Sequence, residues 1–404
     1  MSSEKRNQIP ELYLFRAIAM IAVLTIHGTN TAVAILDRHS TLFGLYLYAN
    51  KFSSFAVPAF LCVSGFVLFY TYYEKPVTSS MLSAFYRKRI LYIVVPYVLF
   101  SVLYFAVKAW LHPYPDAGTA VYRGIIQLLT GGAHTHLYYM FLMIQLYVLF
   151  PLLLVWMQHG AARYAVLIGI GLQWSYIFLN SEVISQMKGL PNIAYRSGSI
   201  LLSYFAYLML GAFLGIYWER VSGWLKYPWT GLGSGNVGSK ERSLLRRAGT
   251  AVLWTGWVLL GSIYVYMHYV LLSGQPAYSS KMYSLVSCGF NLVSCLVLFQ
   301  ISFLLYRSGP LRLVNFLMRL GIVSFGVFLI HPLVLLFYRM LSFGNSPIGF
   351  HLFQVSGFLL AWAVSWIVTE AVLRYFPWPW MLVGSAPKSA RYRRPQVNAQ
   401  ELQA

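Results

Sequence analysis

Ten long apolar runs dominate this sequence and restrict the folds that it can adopt. A helical run of about 20 residues matches the ~30 Å hydrocarbon core of a bilayer. Only 10% of the residues are charged, whereas a soluble protein has roughly 25%. The sequence therefore predicts an all-α, polytopic membrane protein with about ten transmembrane helices. The runs lie at roughly 11–36, 52–73, 87–111, 136–157, 162–180, 198–218, 248–272, 282–306, 319–341 and 350–376.

The basic residues indicate how the chain is oriented. The chain has 30 Lys and Arg residues and a net charge of +20. If the N-terminus is cytoplasmic, most of these residues fall in inside loops, as the positive-inside rule requires. Ten spans then place both termini in the cytoplasm of a multi-pass cell-membrane protein. Because the charges lie in loops between apolar spans, they indicate contact with the lipid bilayer and no binding of nucleic acid.

The chain divides into two parts. Residues 1–380 are predicted to form one transmembrane domain, and residues 381–404 a basic, polar cytoplasmic tail without fixed structure. The Gly/Ser-rich loop at about 219–247 is expected to be a flexible connector. Its GLGSG stretch lacks the GxxxxGK[ST] spacing of a phosphate-binding loop.

The first apolar run carries two residues that are costly to place in lipid, Arg16 and His27. They are eleven residues apart, so a helix places both on one face, about 16 Å apart along its axis. Ionisable residues within a span indicate a functional site. The alternative is an arginine that reaches the cytoplasmic headgroups and a histidine that bonds to a neighbouring helix.

Carboxylates are nearly absent from the predicted spans. The chain has 10 Asp and Glu residues, and Glu370 lies near the inner end of the last span, where it can pair with Arg374. The lack of a mid-membrane carboxylate disfavours an ion-coupled transporter. The remaining deep bases are His27 and His331; His331 precedes Pro332 and could equally be a core histidine that closes a hydrogen bond.

Two further histidines, His134 and His136, lie at the outer start of the fourth span. Two histidines at this spacing without acidic or cysteine partners are weak evidence for a metal site, and a polar lip on an outer cavity is the other interpretation. No metal site is predicted. The three cysteines lie in apolar runs and are predicted to be small core residues: Cys62, Cys288 and Cys295.

These residue types suit acyl transfer. A neutral imidazole in a desolvated cavity is a competent general base, so His27 could take a proton from a sugar hydroxyl. The nearby polar residues Thr25, Asn30 and Thr31 could orient the base or the hydroxyl. The cations suit a phosphate or a thioester carbonyl, although the last three could simply anchor the third span: Arg16, Arg87, Lys88 and Arg89.

Five stretches together resemble the acyltransferase 3 family of integral membrane acyltransferases, which modify extracytoplasmic glycans. The most specific is the R-x10-H pattern of Arg16 and His27. The others, in order, are PAFLCVSGFVLFY, FYRKRILYIVVPY, HLYYMFLMIQLYVLFP and FGVFLIHPLVLL. The resemblance covers about residues 10–376, and the fourth stretch is most similar to members associated with exopolysaccharide or intercellular-adhesin synthesis.

The resemblance implies that His27 is the catalytic histidine and that Arg16 assists it on the side of acyl-CoA. Acyl-CoA would be a co-substrate bound by Arg16, Arg87, Lys88 and Arg89, and no tightly bound cofactor is expected. The group transferred is expected to be acetyl, in an O-acetylation of an extracytoplasmic polysaccharide or lipid-linked sugar. The expected acceptor and cavity residues are Asn30, Ser64, His136, Gln145, Tyr147 and His331.

The sequence departs from the family pattern at two points. Tyr92 replaces the second arginine of an RxxR motif that begins at Arg89, and Met143 and Ile144 stand where many members have glutamates. A polysaccharide exporter or flippase component without acyl transfer is the alternative function. For the acyltransferase, we expect Arg16 and His27 to face a shared interior cavity rather than lipid.

Overall fold

The computed structural model describes residues 8–183, 197–229, 239–275, 278–341 and 346–384. All the regular structure in these segments is helical. The helices are α1 (Glu11–Ile35), α2 (Thr41–Phe52), α3 (Ala56–Tyr72), α4 (Ser79–Arg89), α5 (Val95–Leu111), α6 (Ala117–Thr130), α7 (Tyr138–Gln158), α8 (Ala165–Glu182), α9 (Phe205–Ile216), α10 (Trp218–Lys226), α11 (Ser239–Leu272), α12 (Ser280–Ser308), α13 (Leu311–Tyr338), α14 (Pro347–Tyr375) and α15 (Trp380–Val383).

The number of membrane spans agrees with the sequence prediction. Over the described segments, 9 helices are long and apolar enough to cross a membrane, and a bent helix pair brings the number to 10. The fold is therefore an all-α, polytopic bundle. Its orientation stays a prediction from the loop charges, and we use "inner" and "outer" in that sense below.

The sixth predicted span, 198–218, differs most from its prediction. The helix ends at Ile216, and the chain turns by 100° into α10. The cause is local: Tyr217, with φ −97° and ψ 26°, leaves the helical conformation. The following α10 also carries three charged side chains among its nine residues, so it does not continue the apolar run.

Helix α6 is absent from the sequence prediction. Its 14 residues are too few to cross a bilayer, so a search for long apolar runs passes over it. The Asp116 side chain caps the helix by accepting hydrogen bonds from the backbone N–H and the hydroxyl of Thr119. These bonds hold the pKa of Asp116 below its ordinary value. Gly131, with a φ of 71°, ends the helix in the left-handed conformation.

Small residues allow the helices that carry the candidate site to approach closely. Gly321 on α13 lies against the backbone of α1, where an added Cβ would overlap the carbonyl group of Tyr13. Gly211 on α9 lies in the same way against the Cys62 carbonyl of α3. The first contact fixes α1, which carries Arg16 and His27, against α13.

Three smaller predictions have different outcomes. Glu370 forms its ion pair with Arg319 of α13, and not with Arg374 as predicted, because α13 and α14 pack together and bring Arg319 within reach. The three cysteines are buried and free, as predicted. Residues 230–238 of the predicted connector and residues 385–404 of the predicted tail lie outside the described segments. Val383 is buried, so the packed chain extends just past residue 380.

Candidate active site

A cavity of about 480 Å³ opens between α1, α3, α4, α7, α13 and the segment Ile90–Val94 that follows α4. Its volume is typical of sites for small molecules. Three of the predicted donor-site cations line it, and none of the described residues that line it is Asp or Glu. The lining residues are Arg16, Phe60, Val63, Ser64, Lys88, Arg89, Tyr92, Ile93, Tyr139, Met140, Met143, Tyr147, Ser324, Phe325, Phe328 and Gly384.

Arg89 is directed into this cavity by an irregular turn. A π-helical segment, Ile90–Val94, joins α4 to α5, and such segments occur often at functional sites. Pro96 explains it in part, because proline has no N–H for the Tyr92 carbonyl and therefore weakens the regular α-helical bonding there. Tyr92, which replaces the second arginine of the family motif, lies on this segment and lines the cavity.

Aromatic rings hold the Arg89 side chain in place. Its guanidinium lies 5.1 Å from the ring centre of Phe85 and 4.8 Å from that of Tyr147. Its Nε is buried and has no hydrogen-bond partner in the described chain. A fixed guanidinium with an unused donor is suited to an anionic ligand.

The other predicted donor-site cations differ in position. Arg16 is half-buried and lines the cavity, and within the described residues no ion pair involves it. Lys88 is exposed but reaches the cavity, whereas Arg87 is exposed and is not among the lining residues. The structure thus gathers Arg16, Lys88 and Arg89, and leaves Arg87 at the surface.

Phe328 and Tyr139 separate the cavity from a group of histidines. Both rings line the cavity and lie 5.4 Å apart, centre to centre. On its other side, Phe328 lies 5.2 Å from the ring of His136. The cavity therefore ends at a thin aromatic wall, with imidazole rings directly behind it.

Four histidines from three parts of the chain form one group, which we call the histidine cluster: His27, His134, His136 and His331. Ring centres are 5.1 Å apart for His27 and His331, 5.9 Å for His331 and His136, and 5.0 Å for His136 and His134. The sequence analysis names all four but does not predict that they meet. The position of His134 and His136 just before a span, at the depth of His331, is the signal that could have suggested it.

Two residues that the sequence did not single out complete the surroundings of the cluster. The Arg339 guanidinium, at the end of α13, donates a hydrogen bond of 2.6 Å to the backbone carbonyl of His27. The buried Tyr104 ring lies 4.6 Å from the ring of His134 and 5.0 Å from that of His136. Its hydroxyl donates to the Leu329 carbonyl, so Tyr104 links α5 to α13 beside the cluster.

The remaining predicted acceptor residues have separate positions. Ser64 and Tyr147 line the cavity. Asn30 accepts a hydrogen bond of 2.9 Å from the Asn50 side chain, one turn beyond His27. Gln145 bonds to the backbone of Ser199 and Leu201, which gives it a role in holding that segment.

The sequence predicts that Arg16 and His27 face one shared interior cavity. Of the two, only Arg16 lines the cavity described here. His27 is not among the lining residues; its ring instead contacts the fully buried His331. In the described part of the chain, no three or more His, Cys, Asp or Glu side chains are placed to hold a metal ion. The site therefore has cationic side chains on one side of the wall formed by Phe328 and Tyr139, and imidazole rings on the other.

The structure is thus a polytopic helical bundle with a cation-lined cavity beside a group of histidines. Comparison with known families identifies the class of enzyme: the acyltransferase domain family, acyltransferase 3, matches residues 9–370. The chain belongs to this family and is a membrane acyltransferase in the general sense. No curated protein and no solved structure matches the chain.

Proposed function

We propose that this protein is an O-acyltransferase that moves an acyl group, expected to be acetyl, from acyl-CoA to a hydroxyl of an extracytoplasmic glycan. The observation that carries the proposal is the division of one site by the wall of Phe328 and Tyr139. On one side of this wall lie cations whose cavity has no Asp or Glu among the described residues that line it, and imidazole bases lie on the other. A reaction between a charged donor and a hydroxyl acceptor needs both sets of groups.

The donor would occupy the cavity from its inner end. Lys88 and Arg89 would contact the phosphates of acyl-CoA, because phosphate groups are bound well by guanidinium and ammonium groups. Arg16, deeper on α1 but about 16 Å from His27 along the helix, would bind the inner part of acyl-CoA, and the pantetheine arm would pass Phe328 and Tyr139 to bring the thioester beside His27. No tightly bound cofactor is needed for this step.

The acceptor would approach from the outer end, where Arg339 and His134 lie. His27 would act as the general base, taking the proton of the hydroxyl as its oxygen attacks the thioester carbon. The C–O bond forms, the C–S bond breaks, and the coenzyme A thiolate leaves toward the inner side. Asn30, which accepts a hydrogen bond from the Asn50 amide one turn beyond His27, would orient the glycan near the base.

The similarity of the fourth span to exopolysaccharide-associated members suggests the first acceptor to test. Purified protein would be reconstituted in liposomes that enclose an N-acetylglucosamine oligosaccharide, and radiolabelled acetyl-CoA would be added outside. Acetyl-CoA does not cross the bilayer, so only molecules with the inner end facing outward react. The proposal predicts labelled oligosaccharide ester inside the liposomes.

The same liposomes separate the two candidate functions. Release of unmodified oligosaccharide without any ester would support the exporter alternative and contradict acyl transfer. Protein-free liposomes are the control for chemical acetylation. An Arg16→Gln protein should give much less ester while the oligosaccharide stays enclosed.

A further inference from the structure

The histidine cluster extends well beyond the one base that acyl transfer requires. It begins at His27 and continues through His331 and His136 to His134, which lies in the segment before α7. His136 and His331 are buried, at 2% and 0% exposure, whereas His134 is only partly buried. The series of rings therefore leads from the base to the outer end of the bundle, away from the Arg16 cavity.

The hydrogen bonds of His331 determine which of its nitrogens is free. Its Nδ1 lies 3.0 Å from the Val327 carbonyl oxygen. A carbonyl oxygen only accepts, so Nδ1 carries a proton, and Nε2 of the neutral ring has an open lone pair. This Nε2 is buried and has no hydrogen-bond partner in the described chain. The His27 ring lies beside His331, with ring centres 5.1 Å apart.

His136 connects His331 to His134. Its Nδ1 lies 2.9 Å from Nδ1 of His134, so one of these two nitrogens donates to the other. Its Nε2 is buried without a partner in the described residues, like that of His331. His136 can therefore take a proton on its open Nε2 and give one up through Nδ1 to His134. His331 takes and releases a proton at Nε2, because the Val327 carbonyl holds its Nδ1–H.

The charges around the cluster disfavour a long-lived protonated histidine. The Lys108 ammonium donates to the Ala133 carbonyl, next to His134, and Arg339 bonds to the His27 carbonyl. The third neighbour, Tyr104, is neutral and donates to a carbonyl. No carboxylate is hydrogen-bonded to the four rings among the described residues. An imidazolium would be repelled by both cations, so a proton released at His27 should move on quickly.

We propose that His331, His136 and His134 carry the proton of the acceptor hydroxyl from His27 to the outer side of the membrane. This inference rests on the proposed function. In each turnover the hydroxyl oxygen bonds to the acyl carbon, and the C–S bond breaks. The hydroxyl proton leaves through the histidines, and the coenzyme A thiolate takes a proton from water on the inner side. Ester formation would then move the equivalent of one proton outward.

The test uses the reconstituted liposomes described above, with a pH-sensitive dye enclosed beside the N-acetylglucosamine oligosaccharide. Valinomycin and potassium ions prevent a membrane potential from building up. With acetyl-CoA added outside, the relay predicts acidification of the interior by about one proton per ester formed. If His27 instead returned the proton directly to the thiolate, ester would form without acidification.

Variants distinguish proton transfer from packing. His136→Gln should slow ester formation about tenfold or more, and imidazole enclosed in the liposomes should restore part of the rate. A purely structural loss would not respond to imidazole. The control is His268→Gln, because His268 bonds through Nδ1 to a carbonyl of its own helix, as His331 does, but lies outside the cluster; its rate should not change.

The outcomes separate the two proposals. Ester without interior acidification in the unaltered protein overturns the relay and leaves the acyltransferase proposal standing. Absence of ester overturns the proposed function, and the relay with it. The measurement on the unaltered protein does not depend on whether the His136 variant folds.

Discussion

Two side chains at the candidate site, Arg89 and His331, each have a buried nitrogen without a hydrogen-bond partner among the described residues. The Arg89 guanidinium lies against two aromatic rings, and its Nε has no hydrogen-bond partner among the described residues. His331 uses Nδ1 for a carbonyl and leaves Nε2 open. Because leaving a buried polar atom without a partner costs roughly 1–3 kcal/mol, such atoms are expected where a ligand or a proton completes the bonding.

The cations of the cavity give a prediction about donor affinity. Arg16→Gln and Arg89→Gln should each raise the KM for acetyl-CoA, since each removes a charge-assisted hydrogen bond worth about 1.5–3 kcal/mol. That corresponds to an increase of roughly 10-fold to 100-fold. The measurement is the initial rate of ester formation against acetyl-CoA concentration in the liposome assay.

A surface arginine provides the comparison for these variants. Arg163 lies over the ring of Tyr164 and is not among the residues that line the cavity. Arg163→Gln should leave the KM unchanged. Equal KM values for all three variants would mean that Arg16 and Arg89 do not bind the donor.

Among the secondary-structure elements, α1 and α13 form the pair on which the site depends. The close approach at Gly321 brings His27 and His331 to the same level of the bundle. Gly321→Ala should lower both the thermal midpoint and the rate of ester formation, because the added Cβ would overlap the Tyr13 backbone, which cannot rotate away as a side chain can. Overpacking of this kind costs about 1–3 kcal/mol.

The thermal midpoint can be measured on detergent-solubilised protein by the loss of the monodisperse species on heating. Gly256→Ala is the matched control, because no atom lies within 4 Å of a Cβ added there. That variant should be as stable as the unaltered protein or slightly more so, since alanine favours helix. A Gly321 variant with an unchanged midpoint would contradict the tight α1–α13 contact.

Sequence patterns predicted some elements better than others for clear physical reasons. A span must be long and apolar to cross a bilayer, so the third and fourth spans were recognised from their composition alone. Helix α6 is short and capped by polar residues, and the bend at Tyr217 depends on backbone angles that no apolar run reveals. Both features were therefore missed.

The site was predicted in part, for a related reason. Periodicity places Arg16 and His27 on one face of one helix, but it does not indicate which residues of other helices meet that face. The meeting of His27, His331 and His136 depends on how three elements pack. The contacts of Arg339 and Tyr104 with the cluster arise from that packing as well.

At the scale of the whole molecule, the proposed direction of acyl transfer depends on which end of the bundle faces the cytoplasm. The loop charges predict that Lys75 is inside and Arg123 outside, and both side chains are exposed. In right-side-out vesicles, a membrane-impermeant maleimide should label Arg123→Cys at once and Lys75→Cys only after permeabilisation. The three native cysteines are buried, so their background labelling should be low.

The reverse labelling pattern would mean that the bundle has the opposite orientation in the membrane. Acyl-CoA in the Arg16 cavity would then come from outside the cell, where it is not supplied, and the proposed direction of transfer would fail. Labelling of both positions in sealed vesicles would instead indicate mixed insertion. The unaltered protein, treated in parallel, gives the background labelling of the native cysteines, which is subtracted from each variant.

The most direct test of the central claim compares two histidine variants in the liposome assay. His27→Gln removes the proposed general base, and His268→Gln removes a histidine that lies outside the cluster. With equal amounts of inserted protein, we predict that His27→Gln lowers the rate of ester formation by about 10²-fold to 10⁴-fold, while His268→Gln keeps the unaltered rate. An unaltered rate for His27→Gln would contradict the account.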